Sequence, residues 1–203
     1  MLSVRELLQY PNVIRDNIEE VYIQAGVDEH LESSQWYPLA HSFCLDLANK
    51  YNRSHIQVSG ICSALSPQKS WPENQRITED YLKGRNKHNK VQIGKCKEIV
   101  KTNSFEEIMS ILNGEKTKSF FANIYNPKDS TYITIDRHIL AICLGEKCTD
   151  VTVRQYHLLK DIIVDYAKEK NVHPVDFQSL LWVTWRKIKN YKYEKSKSVP
   201  GPF

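Results

Sequence analysis

The sequence predicts an all-α protein. Apolar residues recur at intervals of three and four along most of the 203 residues, which is the periodicity of helices. No segment shows the alternation of a half-buried strand pair, and the 7 glycines and 8 prolines are too few for a turn-rich β-sandwich. An apolar fraction of 41% with 26% charged residues is typical of a globular chain and excludes a disordered one.

Several classes of protein are excluded by composition and patterning. No run approaches 18 consecutive apolar residues, so we expect no membrane association, and the charged N-terminal segment does not have the pattern of a signal peptide. We therefore expect a cytoplasmic protein. Its five cysteines form no CxxC pair, which favours reduced, buried thiols, and we expect no metal and no cofactor. The net charge of +4 is compatible with an anionic partner but does not identify one.

Four helices are predicted in the first half of the chain. Ser33 or Ser34 is the expected N-cap of the first. Pro72 suits the first turn of the third helix, and Gly84 suits its end, because glycine adopts the left-handed conformation without strain. The predicted spans are 36–51, 56–65, 72–83 and 89–102.

A helical hairpin and three further helices are predicted in the second half. Ser104 and Glu107 have the spacing of a capping box, and Asn113-Gly114 separates the two short helices of the hairpin. After a loop over 126–132 and an extended segment over 133–135, Asp136 stands at an N-cap position. Gly145 ends that helix, and the last two helices cover about 153–167 and 174–188.

Three segments carry side chains that could do chemistry. In chain order they are Leu65-Ser-Pro-Gln68, Gly114-Glu-Lys116-Thr117 and Ile135-Asp136-Arg-His138. Lys116 and Asp136 are 20 residues apart. The order and spacing of these segments resemble the helix-hairpin-helix DNA glycosylases, the superfamily of endonuclease III.

The resemblance implies a fold with two helical subdomains flanking a cleft. Residues 56–146 would form the glycosylase-like part of a single all-α unit spanning 1–203. Residues 1–55 together with 147–193 would form the subdomain that packs on it, and 194–203 would be a flexible tail. We expect a monomer that binds duplex DNA carrying a modified or damaged base.

The resemblance also implies roles for individual residues. Gln68 would enter the base stack when the target base is extruded. Asp136 would be the catalytic carboxylate that stabilises positive charge on the sugar, and Lys116 would be the nucleophile that attacks C1′ in a glycosylase with AP lyase activity. The residues expected to contact DNA are Gln68, Lys69, Ser70, Trp71, Asn113, Gly114, Thr117, Lys118 and Arg137.

Some features depart from endonuclease III and leave alternatives open. The hairpin has one glycine where that family has two, and no cysteine follows Cys148, so we expect no iron–sulfur cluster. Ala64-Leu-Ser-Pro-Gln-Lys-Ser-Trp71 is more similar to a group of small phage proteins, some relatives of which act in thymine hypermodification. A base-modifying enzyme, a non-catalytic DNA-binding module and a purely structural protein are therefore alternatives.

The candidate residues also have simpler structural interpretations. Asp136 has the position of an ordinary helix cap, Lys116 that of a solvated lysine, and Trp71 that of a core residue.

Overall fold

Helices make up all the regular secondary structure in the described chain. The computed structural model describes residues 6, 8–85, 88–145 and 150–189. These ranges contain ten α-helices and no strand, which confirms the predicted all-α class. No helix in them combines the length and the apolar character that a membrane span needs. In chain order the helices are α1 (Pro11–Tyr22), α2 (Val27–Lys50), α3 (His55–Leu65), α4 (Trp71–Leu82), α5 (Lys90–Ile99), α6 (Phe105–Ile111), α7 (Glu115–Tyr125), α8 (Arg137–Leu144), α9 (Val153–Glu169) and α10 (Pro174–Ile188).

The described chain divides into two compact units. Residues 36–127 form the first, which we call the central unit because it occupies the middle of the sequence. Residues 6–35 and 128–189 form the second, which we call the terminal unit. The boundary between residues 35 and 36 falls inside α2.

One buried helix forms the core of the central unit. All ten residues from 56 to 65 in α3 are buried. The helices α4, α5, α6 and α7 all pack against it. A helix that is covered on every side needs an almost continuous apolar or small-residue sequence, and α3 has one.

Local sequence explains where α3 begins and why it packs so closely. The Ser54 hydroxyl caps its first turn by accepting a hydrogen bond from the Gln57 N–H at 3.4 Å. Halfway along, a Cβ on Gly60 would lie 3.0 Å from Ile108 Cγ2 and 3.1 Å from Ile99 Cγ2. Glycine therefore allows α5 and α6 to approach the α3 backbone.

The terminal unit is assembled from both of its chain segments. Helix α1 packs against α8, α9 and α10, and it buries Ile14, Ile18 and Val21. The Asn17 side chain donates a hydrogen bond of 3.0 Å to the carbonyl of Cys143 in α8. These contacts join helices that are more than a hundred residues apart in sequence.

The division into units differs from the expected one. The sequence analysis placed residues 56–146 together and grouped 1–55 with 147–193. In the structure, residues 36–55 belong to the central unit. Residues 128–145 belong to the terminal unit, because α8 buries its apolar face against α1 and α10. The predicted tail, 194–203, lies outside the described residues.

The start of α2 was predicted wrongly. The helix begins at Val27, so Ser33 and Ser34 lie inside it and cap nothing. Their hydroxyls donate to the carbonyls of His30 and Leu31, each at 3.0 Å. A serine whose hydroxyl donates to a carbonyl of the preceding turn is tolerated inside a helix. The two serines therefore do not mark the helix start, and the cap prediction was wrong.

The Ser104 cap forms, but the predicted capping box is changed. The Ser104 hydroxyl accepts from the Glu107 N–H at 3.2 Å, as expected of an N-cap. The Ser104 N–H, however, donates to the Thr102 hydroxyl at 3.0 Å, so a neighbour in the loop satisfies the group that Glu107 was expected to bind.

Candidate functional site

A tyrosine hydroxyl binds the backbone of the segment that leads to Asp136. Residues 133–135 are buried and have no regular secondary structure. The Tyr156 hydroxyl, from α9, donates to the Ile133 carbonyl at 2.7 Å and accepts from the Ile135 N–H at 3.0 Å. These two bonds replace the strand partner that the segment lacks, and they fix the backbone immediately before Asp136.

Asp136 caps α8 through one of its two carboxylate oxygens. Oδ1 accepts from the N–H of His138 at 2.8 Å and from the N–H of Ile139 at 3.0 Å. The side chain is only 3% exposed. The cap does not use Oδ2, so the helix does not require the second oxygen of this carboxylate.

The two residues that follow Asp136 differ in their exposure to solvent. Arg137 is exposed, which suits the DNA contact predicted for it. His138 is buried, and its ring meets the Trp182 ring edge-on with the centroids 6.2 Å apart. His138 is thus part of the packing of the terminal unit, as expected for a structural histidine.

The predicted hairpin forms in the central unit. Helix α6 ends at Ile111, and its C-cap Leu112 is fully buried. Gly114 is the N-cap of α7 and has φ of 84°. That left-handed conformation explains why a glycine follows Asn113. The Ser63 hydroxyl of α3 donates to the Thr117 carbonyl at 2.6 Å and ties the first turn of α7 to the buried helix.

The two lysines of α7 differ in their surroundings. The Lys118 ammonium group pairs with the Glu115 carboxylate at 3.3 Å. Lys116 is half-buried on the first turn of the same helix. Successive residues are about 100° apart around a helix, so two residues separate their side chains by about 200° and they face opposite ways.

The loop after α3 holds Gln68 in a constrained conformation. The Lys69 N–H donates to the Ser66 carbonyl at 3.1 Å, and Gln68 has φ of 63°. A proline followed by a residue with positive φ is the pattern of a type II turn, in which glycine is preferred at the second position. Gln68 is exposed, and it lies in a polar cleft of about 520 Å³. The cleft is lined by Pro67, Gln68, Lys69, His88, Asn89 and Gln92.

Trp71 does not have the role predicted for it. Its side chain is 1% exposed and packs among the rings of Trp36, Phe43 and Phe120, with centroids 5.4, 5.6 and 6.4 Å away. A ring buried in this way cannot stack on a nucleotide, so the prediction of a DNA contact at Trp71 is wrong. Trp71 is instead a core residue, which was the simpler interpretation of its position.

The neighbouring loop residues also have structural tasks. The Ser70 hydroxyl caps α4 by accepting from the Glu73 N–H at 3.4 Å. The Lys69 ammonium group pairs with the Glu73 carboxylate at 2.7 Å. Both side chains are nevertheless at least partly exposed, so these tasks leave the predicted DNA contacts open.

The predicted residues fall into both units. Gln68, Lys116 and the hairpin belong to the central unit, where the Ser63–Thr117 hydrogen bond connects the end of α3 to α7. Asp136 and Arg137 belong to the terminal unit.

The cysteines offer no nucleophile in the described residues. Cys44, Cys62, Cys96 and Cys143 are buried and form no disulfide. Burial raises the pKa of Cys96 and of Cys143 to about 12, and a protonated thiol is a poor nucleophile. Nor do the described residues contain a group of three or more His, Cys, Asp or Glu side chains that could hold a metal ion.

Two positioning residues were missed by the sequence analysis. Ser63 and Tyr156 have no motif of their own; each is one more member of a helical pattern. Their partners are backbone groups of segments 54 and 21–23 residues away, and no local pattern indicates such a bond. The one sequence feature that could have indicated a role for Ser63 is its polar side chain in a helix expected to be buried.

Comparison with known proteins places the chain in a family. The model of a family of unknown function, DUF7178, matches residues 7–189. The chain belongs to that family. The DUF7178 match covers all ten helices of the described structure, from α1 to α10. No curated protein and no solved structure matches the chain.

Proposed function

We propose that the protein is a DNA glycosylase of the helix-hairpin-helix type that extrudes a modified or damaged base and excises it. The observation that carries the proposal is the Asp136 carboxylate, held by two backbone N–H groups through Oδ1 alone. Further support comes from the hairpin with its left-handed Gly114 and from the exposed Gln68 in a constrained turn. These features occur in the chain order that the glycosylase resemblance requires.

The chemistry assigned to Asp136 is stabilisation of the sugar. When the bond between C1′ and the base nitrogen breaks, the base leaves with the electron pair and positive charge develops on the sugar ring. A carboxylate oxygen near that ring lowers the energy of the charged state. Water then forms the new bond to C1′, and the departing base takes up a proton.

Lys116 is the candidate nucleophile of a bifunctional variant of this reaction. Its amine would replace water at C1′, lose protons, and form a Schiff base with the ring-opened sugar. β-Elimination of the 3′ phosphate would then cut the strand. In a monofunctional enzyme, water performs the same displacement. The proposal of base excision therefore does not depend on a catalytic role for Lys116.

The decisive variant for excision is Asp136→Asn. Asparagine is as good an N-cap as aspartate, so the fold should be kept. A neutral amide cannot balance the positive sugar, and we expect the rate of base release to fall by about 100-fold or more. Release is measured on duplexes carrying a panel of damaged and modified bases. The exposed Asp161→Asn, which makes the same chemical change elsewhere, should behave like wild type.

Failure of the excision proposal has a clear form. If no base is released from any duplex, or if Asp136→Asn releases bases as fast as wild type, the protein is not a glycosylase that uses this carboxylate.

Borohydride trapping tests the role of Lys116. Reduction during the reaction should fix a covalent protein–DNA adduct that Lys116→Ala abolishes and the exposed Lys168→Ala retains. Excision without an adduct in the wild-type protein would identify a monofunctional enzyme and remove Lys116 from the mechanism.

A non-catalytic DNA-binding module is the second candidate. It is favoured by the fact that both Asp136 hydrogen bonds are those of an ordinary helix cap. This alternative predicts salt-dependent binding to duplex DNA that is the same for wild type and Asp136→Asn, with no base released.

A further inference from the structure

The positive charge of the chain is concentrated in two segments. Residues 83–101 contain seven lysines and arginines and a single acid, Glu98, and residues 186–197 contain six and a single acid, Glu194. Each segment alone is more positive than the whole chain, whose net charge is +4. Residues 83–101 are therefore one of two segments expected to attract a polyanion.

Helix α5 presents part of this charge on one face. The helix buries Ile93, Cys96 and Ile99 against the core of the central unit. At about 100° per residue, Lys90, Gly94 and Lys97 lie within an arc of about 60°, whose centre is about 130° from Cys96 in the middle of the buried side. All three are exposed. We call these three residues the lysine stripe.

The two lysines of the stripe form no ion pair within the described structure. Among the described residues, ion pairs engage the neighbouring Lys83, Arg85 and Lys101. No such pair involves Lys90 or Lys97 in that part of the chain. Their ammonium groups are thus available to an external anion without the loss of an internal contact.

Gly94 has no structural explanation inside the protein. It lies in the interior of a helix with no positive φ, and a Cβ at this position would meet nothing within 4 Å. Glycine in a helix interior is destabilising compared with alanine. Between two lysines, however, the missing side chain allows an extended ligand to approach the helix backbone closely.

The stripe and the polar cleft that contains Gln68 are close along the chain but involve different sides of α5. His88 and Asn89, immediately before Lys90, line that cleft, and so does Gln92 on the first turns of α5. At about 100° per residue, Gln92 lies about 160° from Lys90 and Gly94 around the helix axis. The stripe is therefore a surface of its own and is not part of the cleft.

We propose that the lysine stripe binds the phosphate backbone of duplex DNA. Lys90 and Lys97 are separated by about 10 Å along the helix axis, which matches about three nucleotide steps of one strand. The stripe itself offers no apolar side chain for insertion into a lipid bilayer. The inference rests on the proposed function, because it assigns part of the DNA contact to this face, but it requires no excision.

The test uses undamaged DNA and the full chain. Binding of a fluorescent 20-base-pair duplex is titrated between 50 and 200 mM salt for wild type and for Lys90→Gln/Lys97→Gln. Losing two phosphate contacts should reduce the slope of log K against log salt by about 1.8 and weaken binding about 60-fold at 0.1 M salt. Both side chains are exposed, so the melting temperature should not change.

Lys95→Gln is the matched control. It removes one charge from the same helix, about 140° away from Lys90 around the axis. Its salt slope should equal that of wild type. If Lys95→Gln reduces the salt slope by as much per removed charge as the double variant does, the effect is a diffuse one of net charge. That result would overturn the proposal that the stripe binds DNA.

Other results would also decide against the proposal or separate it from excision. Wild-type binding by Lys90→Gln/Lys97→Gln overturns it. So does binding to phosphatidylserine vesicles that is as tight as DNA binding and equally sensitive to the two substitutions. If the slope falls as expected but no duplex releases a base, the stripe is retained and the glycosylase proposal fails.

Discussion

Gln68 adopts a backbone conformation that suits glycine better. A residue with a side chain in the left-handed region is strained by about 1–2 kcal/mol. Such strain is commonly found where the side chain has a task, and here the task we propose is insertion into the DNA base stack.

We expect Gln68→Gly to separate stability from function. Relief of strain, offset in part by the greater freedom of glycine in the unfolded chain, should raise the free energy of unfolding by up to about 1 kcal/mol. Base release should nevertheless drop. Urea denaturation and the excision assay measure the two effects. Asn171→Gly, at another left-handed position with φ of 55°, should leave excision intact. Full excision by Gln68→Gly would rule out the insertion role.

His55 makes the stability of the central unit depend on pH. Burial, together with the smaller effect of the nearby His41, lowers its pKa from the ordinary value of 6.5 to about 4. Below pH 6.5 the unfolded chain takes up a proton at His55 that the folded chain does not. The contribution of His55 to stability is therefore present above pH 6.5 and is lost as the pH falls towards 4.

We expect the free energy of unfolding to decrease from pH 6.5 to pH 4, and His55→Gln to reduce that decrease. The measurement is urea denaturation at several pH values. The exposed His157→Gln should keep the wild-type pH dependence. An unchanged profile in His55→Gln would mean that other groups cause the acid sensitivity.

At the level of elements, the buried segment before α8 is positioned by the Tyr156 hydroxyl. Tyr156→Phe leaves the buried Ile133 carbonyl and Ile135 N–H without the hydroxyl that pairs them. Each unpaired buried group is worth about 1–3 kcal/mol, so we expect a loss of that order in urea denaturation. Tyr166→Phe removes a hydroxyl that binds the half-exposed Glu19 and should lose less. Equal losses would contradict the positioning role of Tyr156.

The two helical glycines of the central unit should respond to alanine in opposite ways. Gly94→Ala adds a methyl group in open space and should stabilise the protein by about 0.5–1 kcal/mol. Gly60→Ala places its Cβ within 3.0 Å of Ile108 and should destabilise it by about 1–3 kcal/mol. Thermal or urea unfolding tests both. A loss of stability in Gly94→Ala would show that the glycine has an internal structural role.

Several helix ends, though not the start of α2, were predictable because their causes are local. Ser104 and Asp136 cap helices through their own side chains, and Gly84, Gly114 and Gly145 have positive φ where helices end or begin. Each depends on the residue type and on neighbours within four positions. A pattern in the sequence contains all that information.

Burial and pairing over long distances were not predictable in the same way. From the sequence, Trp71 was as well suited to stacking on DNA as to core packing. What decides its role is contact with three rings from two other helices, α2 and α7. The Ser63–Thr117 and Tyr156–Ile133 bonds likewise join segments that only the folded backbone brings together. For the candidate site, sequence therefore supplied the reactive groups and the structure supplied what holds them.

On the scale of the whole molecule, the terminal unit depends on its first helix. Ile18 of α1 is fully buried among helices from the second chain segment. Ile18→Ala should lower the free energy of unfolding by about 2–5 kcal/mol, because it removes apolar contacts and leaves a cavity. Val13→Ala, on the exposed side of α1, should change it little. If urea denaturation gave a similarly small decrease in the free energy of unfolding for both variants, α1 would contribute little to the core.

The interrupted layout of the terminal unit has a consequence for biosynthesis. A ribosome releases α1 first and must translate residues 36–127 before any of α8, α9 or α10 exists. At roughly 5–20 residues per second, that interval lasts about 5–20 s. During that interval the apolar face of the nascent α1 has no partner helix to cover it, so early engagement by chaperones should fall on the segment that contains α1.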